Sequence, residues 1–104
     1  MQNEDFLINE EAIGDSIKLF VKGRVTSINA SALDYQINEA LKKGISEIII
    51  NMMQVAFLSS AGIRVLLMYF KKCKENGGSL RVENPSENVI NVLGMTALDE
   101  MLLK

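Results

Sequence analysis

The chain has 104 residues, room for one domain. Apolar residues make up 48% and charged residues 23%, a globular balance that excludes disorder as the main state. The net charge of −2, with the densest basic run (Lys71, Lys72, Lys74) at an expected helix end that attracts cations by itself, argues against a nucleic-acid surface.

Residues 5–12 read as a strand with imperfect alternation of Phe6, Ile8 and Ala12. Gly14-Asp15 supplies turn chemistry. Ile17, Leu19 and Val21 then alternate with Ser16, Lys18, Phe20 and Lys22, so a second strand folds back as an antiparallel hairpin. Over residues 30–43 the period changes: Leu33, Ile37 and Leu41 recur every fourth position with Ala40 on the same face, an amphipathic helix. Asn29 or Ser31 is placed to cap its start and Gly44 to end it. Ile48-Ile49-Ile50 is a β-branched run without alternation, the pattern of a parallel strand covered on both faces.

A second helix is expected from about Ser60 to Glu75, its face marked by Ile63, Leu66, Leu67 and Phe70 and broadened by Val65, Met68 and Tyr69. Asn76-Gly77-Gly78 ends it, Leu80 and Val82 mark a strand, and Asn84-Pro85 closes that strand. A short helix follows from Glu87 to Leu93, capped by Ser86 and stopped by Gly94, and Thr96 with Asp99 fits a capping box for a last turn. The order β-β-α-β-α-β-α-α implies an α/β fold, a mixed sheet with helices packed on it.

Much catalytic chemistry is absent. With no histidine, Ser-His-Asp and Cys-His arrangements and His-containing zinc sites are impossible, and one cysteine cannot build a Cys-only zinc site. The phosphate loops G-x-x-x-x-G-K-[ST] and G-x-G-x-x-G, the nucleophile elbow G-x-S-x-G and a Ser-x-x-Lys at Ser60 do not occur. Glu10-Glu11 and Asp99-Glu100 read as solvated surface charge. The chain is therefore expected to be no enzyme and to need no cofactor or metal. Cys73 alone forms no internal disulfide, the first twenty residues are acidic rather than a signal peptide, and no apolar run nears the ~20 residues of a membrane span, so a cytoplasmic protein is expected.

The informative stretch runs from Ile48 to Leu67, IIINMMQVAFLSSAGIRVLL, where a buried strand ends, a short loop carries Phe57 and Leu58, and a helix opens at Ser59-Ser60-Ala61-Gly62. Partner and ligand sites of open α/β sheets gather where strand ends meet helix starts. The free N–H groups of a helix start also stabilise a phosphate. By itself the serine pair has a plainer reading, since serine is among the best helix caps; Gly62 then serves packing, and Phe57 and Leu58 serve the core.

The run from Phe57 to Leu67 resembles the STAS domain of bacterial anti-sigma-factor antagonists. So do Val21-Lys22-Gly23-Arg24-Val25 (a strand ending in glycine before the first helix), Asn76-Gly77-Gly78-Ser79-Leu80-Arg81-Val82, Asn84-Pro85-Ser86 and Val92-Leu93-Gly94-Met95. The likeness covers about residues 6–103 and implies a single STAS domain over 1–104. It implies that the unmodified protein binds an anti-sigma factor, often a serine kinase, that phosphorylation of a serine at the start of the second helix breaks the complex, and that a phosphatase restores it. That serine corresponds to Ser60, with Ser59 the alternative. The implied partner surface takes in Gly23, Thr26, Ser27, Phe57, Leu58, Ser59, Ser60, Gly62 and Arg64. The family commonly has aspartate and serine flanking the phosphorylated serine and aspartate at the strand end; here Ser59, Ala61 and Asn51 stand there.

Two other readings stay open. One is a constitutive STAS scaffold subunit of a larger signalling or transport assembly, with Met52, Met53, Val55, Phe57 and Leu58 as a permanent interface. The other is a small hydrolase using Ser59 or Ser60, which lacks a base.

Overall fold

The structure is a computed structural model that describes residues 6–96 and 98–103. Strands β1 (Leu7–Ile13) and β2 (Ser16–Val25) form the hairpin, paired antiparallel from Leu7 opposite Lys22 to Ile13 opposite Ser16. Helix α1 (Ala30–Lys42), strand β3 (Glu47–Leu58), helix α2 (Ser60–Glu75) and strand β4 (Ser79–Glu83) follow as two crossover units. Strands β2, β3 and β4 are therefore parallel, in a mixed sheet ordered β1-β2-β3-β4. Helix α3 (Glu87–Met95) and the single turn α4 (Asp99–Leu102) close the expected order.

The helices cover one face of the sheet. Ile17, Leu19, Val21 and Val25 of β2, Ile48, Ile50, Met52, Val55 and Leu58 of β3, and Leu80 and Val82 of β4 turn inward. They join Leu33, Ile37 and Ala40 of α1, Leu66 and Tyr69 of α2, and Val89 and Leu93 of α3 in one core. Each fully buried Leu, Ile or Met side chain there contributes about 1.5–3 kcal/mol by leaving water. The other face is open: Lys22, Arg24 and Phe57 are exposed on it, and Met53 is 61% exposed. This corrects the expectation that Ile48–Ile50 is covered on both sides. Ile48 and Ile50 are buried, whereas Ile49 lies on the open face, half-buried between Lys18 and Arg81 of the neighbouring strands.

Strand β3 also runs on through residues 51–58, where a short loop was expected. Its inward residues are 48, 50, 52, 55 and 58, and the two three-residue steps fall at register shifts against β2. Each shift places an extra residue in β3, a β-bulge, which hides the two-residue period. Asn51 eases the first one: its side-chain oxygen accepts from the Met53 N–H at 3.1 Å, and its amide donates to Glu83 at 3.3 Å. At the second, Gly23 sits opposite Val55 with φ 96°, a left-handed conformation that glycine adopts without strain. Strand β2 therefore continues past Gly23 to Val25 rather than ending at it.

Helix α2 spans the expected residues but buries a different face: Gly62, Val65, Leu66, Tyr69 and Cys73 point inward, while Ile63, Leu67 and Phe70 are half-buried at the flanks. Tyr69 reaches that position because its hydroxyl donates to Asp34 of α1, satisfying the polar end of a buried ring. Burial pushes the Cys73 thiol up from its ordinary pKa, a setting for a packing residue rather than a nucleophile. In α3, Ser86 caps the start as expected, accepting from Val89 N–H at 3.2 Å. Gly94 does not stop this helix, which ends at Met95 with the Thr96 hydroxyl turned back onto the Val92 and Leu93 carbonyls. Thr96 thus closes α3 instead of opening the last turn, and the side chain of Asp99, its expected partner, lies outside the described residues.

Candidate functional site at the carboxyl ends of the strands

The two serines at the β3–α2 junction do different jobs. Ser59 is the cap of α2, in extended conformation, with its hydroxyl accepting from Gly62 N–H at 3.1 Å. Its backbone is pinned as well, the N–H donating to the Val25 carbonyl at 2.9 Å and the carbonyl accepting from Ile63 N–H at 3.0 Å. Ser60 is the first helical residue, and its side chain is exposed with no hydrogen-bond partner among the described residues. Its own backbone N–H and that of Ala61 also have no acceptor among those residues. A free hydroxyl therefore stands at the positive end of a helix of 16 residues.

The close packing of this junction depends on Gly62. A Cβ there would lie 2.8 Å from Leu58 Cδ1 and 2.9 Å from Val25 Cγ1, so the missing side chain lets α2 settle on the sheet. Leu58 and Gly62 are thus buried core contacts, and Gly23 is buried at its bulge; these three expected partner residues support the surface from beneath rather than form it.

Thr26 is likewise structural. Its hydroxyl accepts from Asn29 N–H at 3.1 Å while the Asn29 side-chain oxygen accepts from Thr26 N–H at 2.7 Å, a reciprocal box at the start of α1. Asn29 makes no side-chain cap bond to α1, because its oxygen is turned back to Thr26 N–H while its amide donates to the Arg24 carbonyl at 2.8 Å. Ser31 donates to Ile28 O and caps nothing further along the helix. Asn29 thus stands at the expected cap position of α1 without a side-chain cap bond, and Ser31 lies inside the helix.

The residues that reach solvent here are Ser27, Phe57, Ser60 and Arg64. Two more were missed from the sequence. Ile28, 84% exposed, protrudes from the turn before α1. Arg24 lies directly opposite Phe57 in the β2–β3 pairing, its guanidinium 4.5 Å from the ring centroid. The signal for Ile28 was an isolated large aliphatic residue inside a polar turn. Arg24 opposite Phe57 had no local signal, because two bulges set that register. Arg64 stands one helical turn beyond Ser60, and no side-chain hydrogen bond joins the two among the described residues.

The start of α3 completes this end of the molecule. Where β4 stops opposite Asn51, Ser86 N–H donates to Met52 O at 3.1 Å, Ser86 Oγ to Val55 O at 2.6 Å and Asn88 Nδ2 to Ala56 O at 2.8 Å. The loop after β4 thus holds the bulged half of β3 that presents Phe57 and the serines.

Comparison with known proteins agrees with this architecture. The STAS domain profile matches residues 8–104. The anti-sigma-B factor antagonist of Bacillus subtilis (strain 168) is 27% identical over 88 residues, covering 85% of this chain and 80% of that protein. The structure of the anti-sigma factor antagonist SpoIIAA in its unphosphorylated form superposes with a TM-score of 0.83 at 18% identity, over 93% of this chain and 86% of that one. An anti-sigma factor antagonist from Mycobacterium paratuberculosis gives a TM-score of 0.79 at 20% identity, over 97% and 86% of the two chains. SpoIIAA in its phosphorylated form also matches, with a TM-score of 0.74 at 18% identity over 94% and 88%. At such identities the solved structures speak for the fold, and the profile match over nearly the whole length decides the family: the chain belongs to the STAS-domain family.

Proposed function

We propose that this protein is an anti-sigma-factor antagonist: it binds an anti-sigma factor through the carboxyl-end surface of its sheet and is switched off when that partner, acting as a serine kinase, phosphorylates Ser60. The observation that carries the proposal is the division between the serines, with Ser59 committed to capping α2 and Ser60 exposed and unbonded beside it. A phosphate on Ser60 adds a charge of about −1.5 to −2. The helix dipole and the free N–H groups of Ser60 and Ala61 favour it within the fold, while the same charge repels and desolvates badly in an interface that includes Phe57. A phosphatase then resets the switch. The named relatives support the role, one of them known in both unphosphorylated and phosphorylated forms. The chain itself performs no catalysis in this scheme, and a cytoplasmic setting accords with its single, buried thiol. No described helix is long and apolar enough to cross a membrane.

The test is to express tagged wild-type, Ser60→Ala and Ser60→Asp chains in the source cells, identify co-purifying proteins, and map phosphopeptides. Wild type and Ser60→Ala should retain an anti-sigma factor, Ser60→Asp should lose it without a fall in Tm, and phosphate should be found on Ser60. Equal capture by all three, with no phosphate in growing or stressed cells, would overturn the switch. That outcome would favour a constitutive scaffold, the reading to which the exposed Met53 and Phe57 lend some support.

A further inference from the structure

The open face of the sheet is divided electrostatically. Toward the start of β2, Lys18 pairs with Glu83 at 2.9 Å and Arg81 lies 3.9 Å from the same carboxylate, so charge there is answered within the molecule. Toward the serine end it is not. Lys22 and Arg24 follow on the same face of β2, with Arg64 just beyond Ser60, and among the described residues none of the three pairs with a carboxylate. In segments 22–29, 53–64 and 84–91, which build this end, the only carboxylate side chain is Glu87. Among the described residues, this end of a chain of net charge −2 therefore carries an excess of cations.

Arg24 is also held in place. The guanidinium lies 4.5 Å from the Phe57 ring centroid, and its N–H groups, bonded to nothing among the described residues, are able to make two parallel bonds to a carboxylate. The contact with the ring limits the freedom of both side chains beforehand, which lowers the ordering cost when something binds. The same end of the molecule also exposes two apolar side chains, Met53 at 61% on β3 and Ile28 at 84% in the turn after β2. Unanswered cations at the same end as exposed apolar groups are complementary to a segment that alternates acidic and apolar side chains.

We propose that the Arg24–Phe57 pair is a specificity-determining docking contact that takes an acidic, apolar-flanked segment of the partner protein, its carboxylate on the Arg24 edge and its apolar side chains on Phe57 and Ile28. This rests on reading the serine end as the partner surface and adds which chemistry that surface selects.

The test is an amide NMR titration of the full chain with two synthetic ten-residue peptides that share leucines and phenylalanines at alternate positions. One carries glutamates between them, the other lysines. The glutamate peptide should shift Arg24, Phe57 and Ile28 signals and weaken at least about tenfold in Arg24→Glu, the tenfold expected for losing a charge-assisted bidentate contact. Phe57→Ala should weaken it too, and both exposed-site variants should keep dispersed spectra. Equal binding of the lysine peptide, shifts centred elsewhere, or an unchanged affinity in Arg24→Glu overturns the proposal. So does sedimentation with phosphatidylglycerol vesicles that Arg24→Glu abolishes when the peptides do not discriminate, which would assign the patch to a membrane surface. A chain that binds the glutamate peptide at Arg24 yet retains no anti-sigma factor in cells would sink the antagonist reading and leave this contact standing.

Discussion

Replacing Ser59 and Ser60 one at a time separates their roles by stability alone. In Ser59→Ala, Gly62 N–H loses the hydroxyl that accepts from it at 3.1 Å, and loss of such a cap costs about 1 kcal/mol, within a range of roughly 0.5–2. For a domain of this size 1 kcal/mol corresponds to roughly 4–8 °C in Tm. Ser60→Ala removes a hydroxyl that is exposed and unbonded, so stability should stay within about 0.5 kcal/mol. Ser60→Asp places a carboxylate in the first turn of α2, where the dipole offers about 0.3–1 kcal/mol, so Tm should hold or rise slightly. Ser59→Asp should also stay near wild type, since aspartate caps as well as serine. Circular-dichroism melts and urea titrations of the four variants in one buffer suffice. A silent Ser59→Ala with a Ser60→Ala that falls by several degrees would reverse the cap assignment and remove the structural basis for Ser60 as the modified residue.

Gly62→Ala should be destabilising despite the better helix propensity of alanine. Its Cβ would lie 2.8 and 2.9 Å from two buried side chains, and overpacking of about 1–3 kcal/mol exceeds a propensity gain of at most ~1, so urea midpoints should fall. Tyr69→Phe should cost about 1–2 kcal/mol at pH 7 through the lost bond to Asp34. Burial, reinforced by that bond, holds the phenol pKa above its ordinary 10.0, so its stabilisation is full below pH 10 and declines as pH rises beyond it. Urea midpoints measured at pH 8 and 10.5 should therefore drop less in Tyr69→Phe than in wild type. Glu83 behaves in the opposite sense. Its bond to Lys18, with help from Asn51 and Arg81, holds its carboxyl below the ordinary 4.5, giving stability that is present above that pH and lost as pH falls through the lowered value. Glu83→Gln should show a shallower stability loss between pH 6 and pH 3 than wild type.

Much of the fold was legible because its signals are local. The alternation of Ile17, Leu19 and Val21, the four-residue recurrence of Leu33, Ile37 and Leu41, and turn residues at Gly14-Asp15 and Asn76-Gly77-Gly78 specify the elements from neighbours alone, and the β-β-α-β-α-β-α-α order follows. The serine junction stood out as a candidate site too, since partner and ligand sites gather where strand ends meet helix starts. Which serine is free was not, because the cap is decided by where α2 begins, and that depends on how far β3 extends.

The far half of β3 was hidden for a related reason. Two bulges break its two-residue period at Met52–Val55 and Val55–Leu58, and bulges answer to a partner strand that the local sequence does not contain. The same tertiary pairing put Arg24 opposite Phe57 and left one sheet face open, although Ile48-Ile49-Ile50 suggested cover on both sides. It also turned Leu58, Gly62 and Gly23 inward and gave Thr26 to the start of α1. By itself the sequence determined the elements and their order and marked the β3–α2 junction as a candidate site, because periodicity and turn chemistry are properties of neighbouring residues. Only the tertiary structure decided which side chains of that place reach solvent, because exposure is set by residues brought together from β2, β3, α2 and α3.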